Sequence, residues 1–153
     1  MAADEQTELR DWLARQRALI AAKCADLTDD QLARAAVPPS RLSLLGLVRH
    51  LSEMERAYLR NGVGREGLPL IYCTDADPDG DFDGAGAADP DEAFAVWREE
   101  CRLADAALVA APSPEAVRSR LLKVITEYAR HAGHADLLRE RIDGMVGDGA
   151  APE

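Results

Sequence analysis

The chain has 153 residues and a mass of 16.6 kDa, the size of one ordinary domain that can bury a core without disulfides. Its formal net charge of −10 and its sequence pI near 4.7 disfavour binding to nucleic acid and to anionic lipid surfaces. Three cysteines without a CxxC pair argue against a cysteine-rich zinc site and favour a reducing compartment. We therefore expect a single cytoplasmic domain over residues 1–153, with no signal peptide and no membrane span.

The first half of the chain predicts two amphipathic helices. Residues are 47% hydrophobic but only 5% aromatic, and good helix formers dominate. Apolar residues recur at helical spacing over residues 5–26 and again over residues 41–60, where Ser40 is the predicted N-cap after Pro38 and Pro39. The predicted apolar stripe of the second helix is Leu44, Leu47, Val48, Leu51, Met54, Ala57 and Tyr58.

Two further helices follow a long connection over residues 61–89 that is rich in Gly, Pro and Asp. Asp89-Pro90 is a cap and first-turn pair that begins the third helix, which ends near Ala111. Ser113-Pro114 repeats this signal for a fourth helix that runs to about residue 142, and the tail from about residue 147 is predicted to be frayed. Four such helices predict an all-α four-helix bundle with a crossover between helices two and three.

The connection contains an acidic stretch from Asp75 to Asp81, DADPDGD, which imitates the opening of a calcium-binding EF-hand loop. The imitation fails further on, because the twelfth position is Gly86 instead of glutamate and Pro78 lies inside the stretch. Turn chemistry and a solvated run of charges therefore explain the stretch better. An apolar LPLIY segment just before it is predicted to pin the connection to the helices.

The stretch EYARHAGH in the fourth helix predicts a metal site. At about 100° per residue, Glu127, His131 and His134 fall within roughly 60° of one another on one helical face. His50, the third histidine of the chain, lies beside the apolar stripe of the second helix and faces between helices. Imidazole and carboxylate donors suit Zn and other divalent ions, although a lone histidine on a wet face usually has no such role.

At these residues the chain resembles the DinB/YfiT-like superfamily of metal-binding four-helix bundles. The resemblance rests on LLGLVRHLSEMERAYLR in helix two, on YCTDADPDGDFD in the connection and on EYARHAGHADLLRERIDG in helix four. Related members are mycothiol-dependent maleylpyruvate isomerases and bacillithiol S-transferases. The resemblance implies His50, Glu127 and His131 as metal ligands, with His134 as an alternative ligand or a neighbour of the ligands.

The resemblance also implies a chemistry. A divalent metal, Zn in the first place and Ni in the second, would bind a low-molecular-weight thiol such as mycothiol and hold its thiolate for attack on a small electrophile. The resemblance does not imply the substrate, because the isomerases carry an additional C-terminal domain that we do not expect in this chain. Arg49 and Arg130 each precede a histidine, point about 100° away from it and are interpreted as surface residues.

The alternative function is a non-catalytic homodimeric bundle whose metal is structural or vestigial, with His134 closing the coordination shell. Trp12 and Trp97 are interpreted as anchors of the core or of the interface of a homodimer. Cys73, in the connection, is a candidate reactive thiol, but nothing beside it in sequence would lower its pKa.

Overall fold

The computed structural model describes residues 3–111 and 114–147, and within them the chain is all-helical with no β-strand. Four long helices form the bundle, which confirms the fold class predicted from the sequence. No helix in these ranges combines the length and the apolar character needed to cross a membrane. The elements are α1 (Ala3–Cys24), α2 (Asp29–Ala33), α3 (Leu44–Met54), a π-helix (Glu55–Asn61), α4 (Gly80–Asp83), a 3₁₀ helix (Gly84–Ala87), α5 (Pro90–Val109) and α6 (Pro114–Asp143).

The helix starts follow side-chain capping. Asp89 caps α5 by accepting the Asp91 amide with Pro90 in the first turn, as predicted. The prediction that Ser40 caps the second helix is wrong, because the Ser43 hydroxyl accepts the Gly46 amide at 3.0 Å and α3 begins at Leu44. The predicted Ser113 cap lies outside the described residues, as does the tail from residue 148.

The short helix α2 was not predicted, although its signal is present in the sequence. Thr28 and Gln31 form a capping box in which each side chain bonds the backbone amide of the other. The pattern T-D-D-Q carries this signature. The helix ends at Ala33, where Arg34 takes an extended backbone conformation.

The core lies between the four long helices. Helix α1 packs mainly on α6, while α3 packs on α5 and α6, so α3 and α6 face each other. Arg139 of α6 is buried and donates to the Lys23 and Ala25 carbonyl oxygens at 3.0 and 2.7 Å. These bonds satisfy carbonyl groups at the C-terminal end of α1, which have no partner within the helix. The connection between the π-helix and α5 crosses the bundle on its α3 side, because α4 and the 3₁₀ helix within it pack against α3.

The predicted apolar stripe of the second helix holds as far as Leu51. Beyond it, Met54, Ala57 and Tyr58 are only half-buried, whereas Glu55 and Leu59 are buried. Glu55 and Leu59 follow Leu51 by four and eight residues, so they continue the face of the helix that Leu51 buries. The π-helix begins at Glu55.

The Glu55 carboxylate lies at the centre of a buried polar network that joins all four long helices. Arg17 of α1 donates to both carboxylate oxygens at 2.8 Å, and the Tyr128 hydroxyl of α6 donates to Oε1 at 2.8 Å. The Trp97 indole of α5 donates in turn to the Tyr128 hydroxyl at 2.8 Å. Burying a carboxylate is tolerable only with such partners, so the network fixes the rotation of α6.

Replacing Tyr128 by Phe should lower the free energy of unfolding by about 2 kcal/mol, because it leaves one lone pair of a buried carboxylate and the Trp97 N–H without a partner. Urea unfolding of the variant measures the loss. Tyr58→Phe is the matched control: the Tyr58 hydroxyl bonds no described residue, so this change should stay within about 0.5 kcal/mol of the parent. Equal losses in both variants would contradict the role of the network.

Candidate metal centre

Three of the four predicted ligands meet between α3 and α6. His50 lies on α3, and Glu127 and His131 lie one turn apart on α6. The Glu127 Oε2 atom is 3.5 Å from His50 Nε2 and 3.6 Å from His131 Nε2. One ligand atom from each of the three residues lies within 4.8 Å of the others. His131 is buried, the other two are partly buried, and the His50 Nε2 atom itself is shielded from solvent.

His50 is oriented by two residues of the connection. Its Nδ1 atom lies 2.7 Å from Asp81 Oδ2, so we assign the proton to Nδ1, which donates a hydrogen bond to the carboxylate. The Phe82 ring stacks on the imidazole with centroids 4.6 Å apart, which holds the plane of the ring. The remaining nitrogen, Nε2, is buried without a hydrogen-bond partner among the described residues and presents its lone pair to the cluster.

Asp81 itself is held as a carboxylate. Burial would raise its pKa, but the hydrogen bonds from His50 and from the Phe82 amide outweigh burial, and the pKa lies below the usual value. An ionised Asp81 is an acceptor only, which keeps the proton of His50 on Nδ1. Carboxylate, imidazole and an inward Nε2 lone pair form the arrangement typical of a metal-binding histidine with its supporting carboxylate.

Glu127 divides its two oxygens between two tasks. Oε1 pairs with the Lys123 ammonium at 3.1 Å, while Oε2 faces the two histidines. Burial alone would raise the pKa of Glu127, but Lys123 and His50 together hold it below its usual value. The cluster therefore places a carboxylate oxygen 3.5 Å from an imidazole nitrogen that has no hydrogen-bond partner among the described residues, a pair that a bound cation or a shared proton can satisfy.

His134 does not face the same point as the other three residues. Its Nδ1 atom lies 3.1 Å from His131 Nδ1, on the side of that ring away from Glu127. The hydrogen bond between the two histidines leaves Nε2 of His131 free to face the cluster. Burial, followed by the nearby His50 and His134 rings, lowers the pKa of His131 from 6.5 to about 4, so the ring stays neutral near pH 7.

Polar side chains of α3 fasten the connection beside the cluster. Arg49 donates to the Asp81 and Gly80 carbonyl oxygens at 2.8 and 2.9 Å, so the interpretation of Arg49 as a surface residue is wrong. Arg130 is exposed, as predicted. The Glu53 carboxylate accepts the backbone amides of residues 71–73, and its burial explains why these bonds are needed.

The LPLIY segment does not fasten the connection through apolar contacts as predicted. Leu70 is 44% exposed, and the Asn61 side chain instead clamps the Leu68 backbone in both directions at 2.8 Å. Gly80 allows a close approach, because a Cβ at this position would overlap the Tyr72 carbonyl oxygen. Main-chain groups, which sequence patterns do not distinguish, therefore hold this connection in place.

Asp81 and Phe82 are the site residues that the sequence analysis missed. The acidic stretch was interpreted as a solvated run of charges, and Asp75, Asp77 and Asp79 are indeed exposed. Asp81 alone is buried, at 4% exposure, because it lies on the first turn of α4 facing α3. The only signal in the sequence is that Asp81 is followed by an aromatic residue in an otherwise polar stretch.

Cys73 is not the activated thiol that its position in the connection allowed. Burial raises its pKa to about 11, so the side chain is a neutral thiol near pH 7. Cys24 and Cys101 also have raised pKa values, chiefly through burial. All three are free.

The donor set fits a divalent metal. In a tetrahedral zinc site with bonds near 2.0 Å, the donor atoms lie about 3.3 Å apart, close to the 3.5 and 3.6 Å found here. The orphaned Nε2 of His50 supplies a lone pair that no protein group uses. Two nitrogens and one carboxylate oxygen are a donor set that suits zinc and leaves a fourth coordination position for another molecule.

The metal-free protein should lose stability as the pH falls from about 6.5 to about 4. In this window the unfolded chain protonates His131 while the folded protein does not, so unfolding takes up as much as one proton at this residue. Urea unfolding in the presence of a chelator at several pH values measures the slope. His131→Gln should remove that part of the slope, and an unchanged slope in the variant would contradict the assignment. Carboxylates with lowered pKa values add to the slope below about pH 5, so the part that belongs to His131 is measured between about pH 6.5 and 5.

The comparison with protein families adds a relationship that the geometry alone cannot supply. The model of the mycothiol-S-transferase family matches residues 8–144, which include every residue of the cluster and the connection that supports it. No match was found among curated proteins or among solved structures. The match covers most of the 153 residues, and the chain belongs to the mycothiol-S-transferase family.

Proposed function

We propose that the protein is a divalent-metal-dependent S-transferase that joins a low-molecular-weight thiol, mycothiol in the first place, to a small electrophile. The observation that carries the proposal is the convergence of His50 Nε2, Glu127 Oε2 and His131 Nε2 on one point. The family match supports a mycothiol-related transferase. The metal and its role rest on the donor geometry, with zinc preferred and nickel as the second choice.

A bound divalent cation supplies a Lewis acid that lowers the pKa of a thiol and so provides a nucleophilic sulfur at neutral pH. In the net transfer the thiol loses its proton to solvent, sulfur forms a bond to the electrophilic carbon, and the leaving group departs with the electron pair of its own bond. The protein needs no cysteine of its own for this reaction, which agrees with the raised pKa of Cys73.

The residues of the chain hold protons away from the ligand atoms. Asp81 keeps the proton of His50 on Nδ1 and leaves the Nε2 lone pair available. In the tautomer that keeps Nε2 available, His131 donates a hydrogen bond from its Nδ1–H group to His134 Nδ1. The lowered pKa of His131 keeps Nε2 unprotonated. Lys123 holds Glu127 Oε1, so that Oε2 remains directed at the cluster. These contacts prepare three donors before any ion binds.

The position of His134 favours this function over a structural metal. A closed site would require His134 to supply a fourth donor to the same point, but its Nδ1 atom bonds His131 instead. An open position for a thiol is therefore the arrangement that the contacts support. A homodimer and a cytoplasmic location belong to the same proposal: Trp12 is 46% exposed on α1, and three free cysteines suit a reducing compartment.

The protein should bind a divalent metal and consume mycothiol in the presence of an electrophile panel. His50→Ala and His131→Ala should each reduce bound metal to the level of a chelator-treated sample and abolish turnover, since each removes one of three donors. His134→Ala is the control and should keep bound metal, with affinity reduced about tenfold to a hundredfold. Elemental analysis and thiol loss are the measurements. Unchanged metal content in both alanine variants would overturn the site, and metal binding without turnover would overturn the transferase.

Asp81→Asn should weaken metal binding by about tenfold to a hundredfold, because the amide can no longer hold the Nδ1 proton of His50 with a full charge. Competition titration with a metal-binding dye measures the affinity. Asp75→Asn changes an exposed aspartate of the same acidic stretch and should leave the affinity unchanged. Equal affinities for the two variants would show that Asp81 does not support His50.

A further inference from the structure

A group of cations lies beside the candidate metal centre on α6. Residues 117–135 contain four basic side chains and, apart from Glu127, no acidic one, although the chain as a whole has a net charge of −10. One of the four, Arg118, pairs with Glu5 of α1 at 2.8 Å. The other three, which we call the basic stripe, are Arg120, Lys123 and Arg130.

The basic stripe lies on the same side of α6 as Glu127. At about 100° per residue, its three side chains and Glu127 fall within roughly 80° of one another. Arg120 lies against the end of the π-helix, since its Nε atom would be 3.1 Å from a Cβ atom at Gly62. The Lys123 ammonium lies 5.6 Å from the centroid of the Tyr58 ring and 3.1 Å from Glu127 Oε1. Through Lys123, the basic stripe therefore contacts one of the three candidate ligands directly.

Lys123 has hydrogen-bonding capacity that the described residues do not use. An ammonium group carries three donors, and one of them is directed at Glu127 Oε1, while the side chain remains 47% exposed. Arg120 and Arg130 are exposed, and neither forms an ion pair with a residue that the structure describes. Ion pairs within this part of the protein therefore do not account for the basic stripe, and Lys123 can donate to a second anion on the solvent side of Glu127.

We infer that Lys123 binds an anionic group of the electrophile, so that electrophiles with a carboxylate next to the reacting carbon are the preferred class. The inference rests on the proposed function for the reaction, but not for the binding of the anion. A chain with a net charge of −10 repels anions, so a local group of cations favours their approach at this point. Only the Glu127 carboxylate separates the Lys123 ammonium from the point on which the ligand atoms converge. A carbon one bond from the bound carboxylate therefore reaches the cluster.

Iodoacetate and iodoacetamide test the inference, because they share a carbon–iodine bond and a similar size but carry a carboxylate and a neutral amide. With both, the mycothiol sulfur bonds the carbon, iodide leaves with the electron pair of the carbon–iodine bond, and the thiol proton goes to solvent. In metal-loaded protein, Lys123→Gln should raise KM for iodoacetate about tenfold, as expected when a charge-assisted hydrogen bond is lost. KM for iodoacetamide should be unchanged, and Lys123→Arg, which keeps the charge, should stay close to the parent protein.

Arg102→Gln is the matched control, because it also removes one exposed positive charge, but on α5, which contributes no residue to the cluster. It should change neither KM. Equal effects of the two glutamine variants on iodoacetate would show that only the net charge matters and would overturn the inference. Equal losses with both electrophiles in Lys123→Gln, with or without loss of bound metal, would show that Lys123 acts by holding Glu127. A changed KM for mycothiol alone would place the cation at the thiol, and either result also overturns the inference.

Binding of propionate separates the inference from the proposed function, because propionate is an unreactive carboxylate of similar size. Backbone amide NMR of zinc-loaded, thiol-free protein should show saturable shifts at Tyr58, Lys123 and Glu127, and propionamide should cause none. Lys123→Gln should weaken propionate binding about tenfold, whereas Arg102→Gln should not. Absent shifts, or equal affinities in the two variants, as expected if propionate bound only the metal, would overturn the inference. Absent turnover with Lys123-dependent binding of propionate would overturn the transferase alone.

Discussion

The rest of the structure depends on one buried carboxylate, Glu55. It is fully enclosed, and it is compensated by Arg17 from α1 and by Tyr128 from α6. Glu127 directly precedes Tyr128 in the sequence. The hydrogen bond from the Tyr128 hydroxyl to Glu55 therefore also sets the direction in which the Glu127 side chain leaves the helix. A purely apolar core would leave α6 free to rotate by small amounts, since apolar contacts are not directional. The polar network converts a bundle into a scaffold with a defined angle for the ligands.

On that scaffold, side chains of α3 bind the connection and fix its position. Three of its side chains within two turns, Arg49, His50 and Glu53, each bond the connection by a different type of group: a guanidinium on carbonyl oxygens, an imidazole on a carboxylate, and a carboxylate on backbone amides. Charge-assisted bonds of this kind are stronger and more directional than neutral ones. The connection has little regular structure, yet its placement beside the cluster is determined at several points.

The bundle could be predicted from the sequence because it depends on local periodicity, whereas the meeting of His50 with Glu127 and His131 was expected from the family resemblance. Helical spacing located four long helices, and the i, i+4 relation of Glu127 and His131 is a property of any α-helix. The burial of Glu55 could not be predicted, since it depends on Arg17, a partner distant in the chain. Asp81 could not be separated from Asp75, Asp77 and Asp79, because the four differ only in what the fold places around them. The His134 contact with His131 likewise depends on ring orientations that spacing leaves undetermined.

The bond between Asp81 and His50 also couples two regions thermodynamically. An interaction that stabilises the packing of residues 68–83 against α3 also strengthens the binding of an ion by His50. By reciprocity, an ion held at His50 must stabilise that packing by the same free energy. The connection would then modulate the affinity of the cluster for an ion. A change at an exposed residue such as Asp79, two residues from Asp81, would act on the ion through the bond between Asp81 and His50.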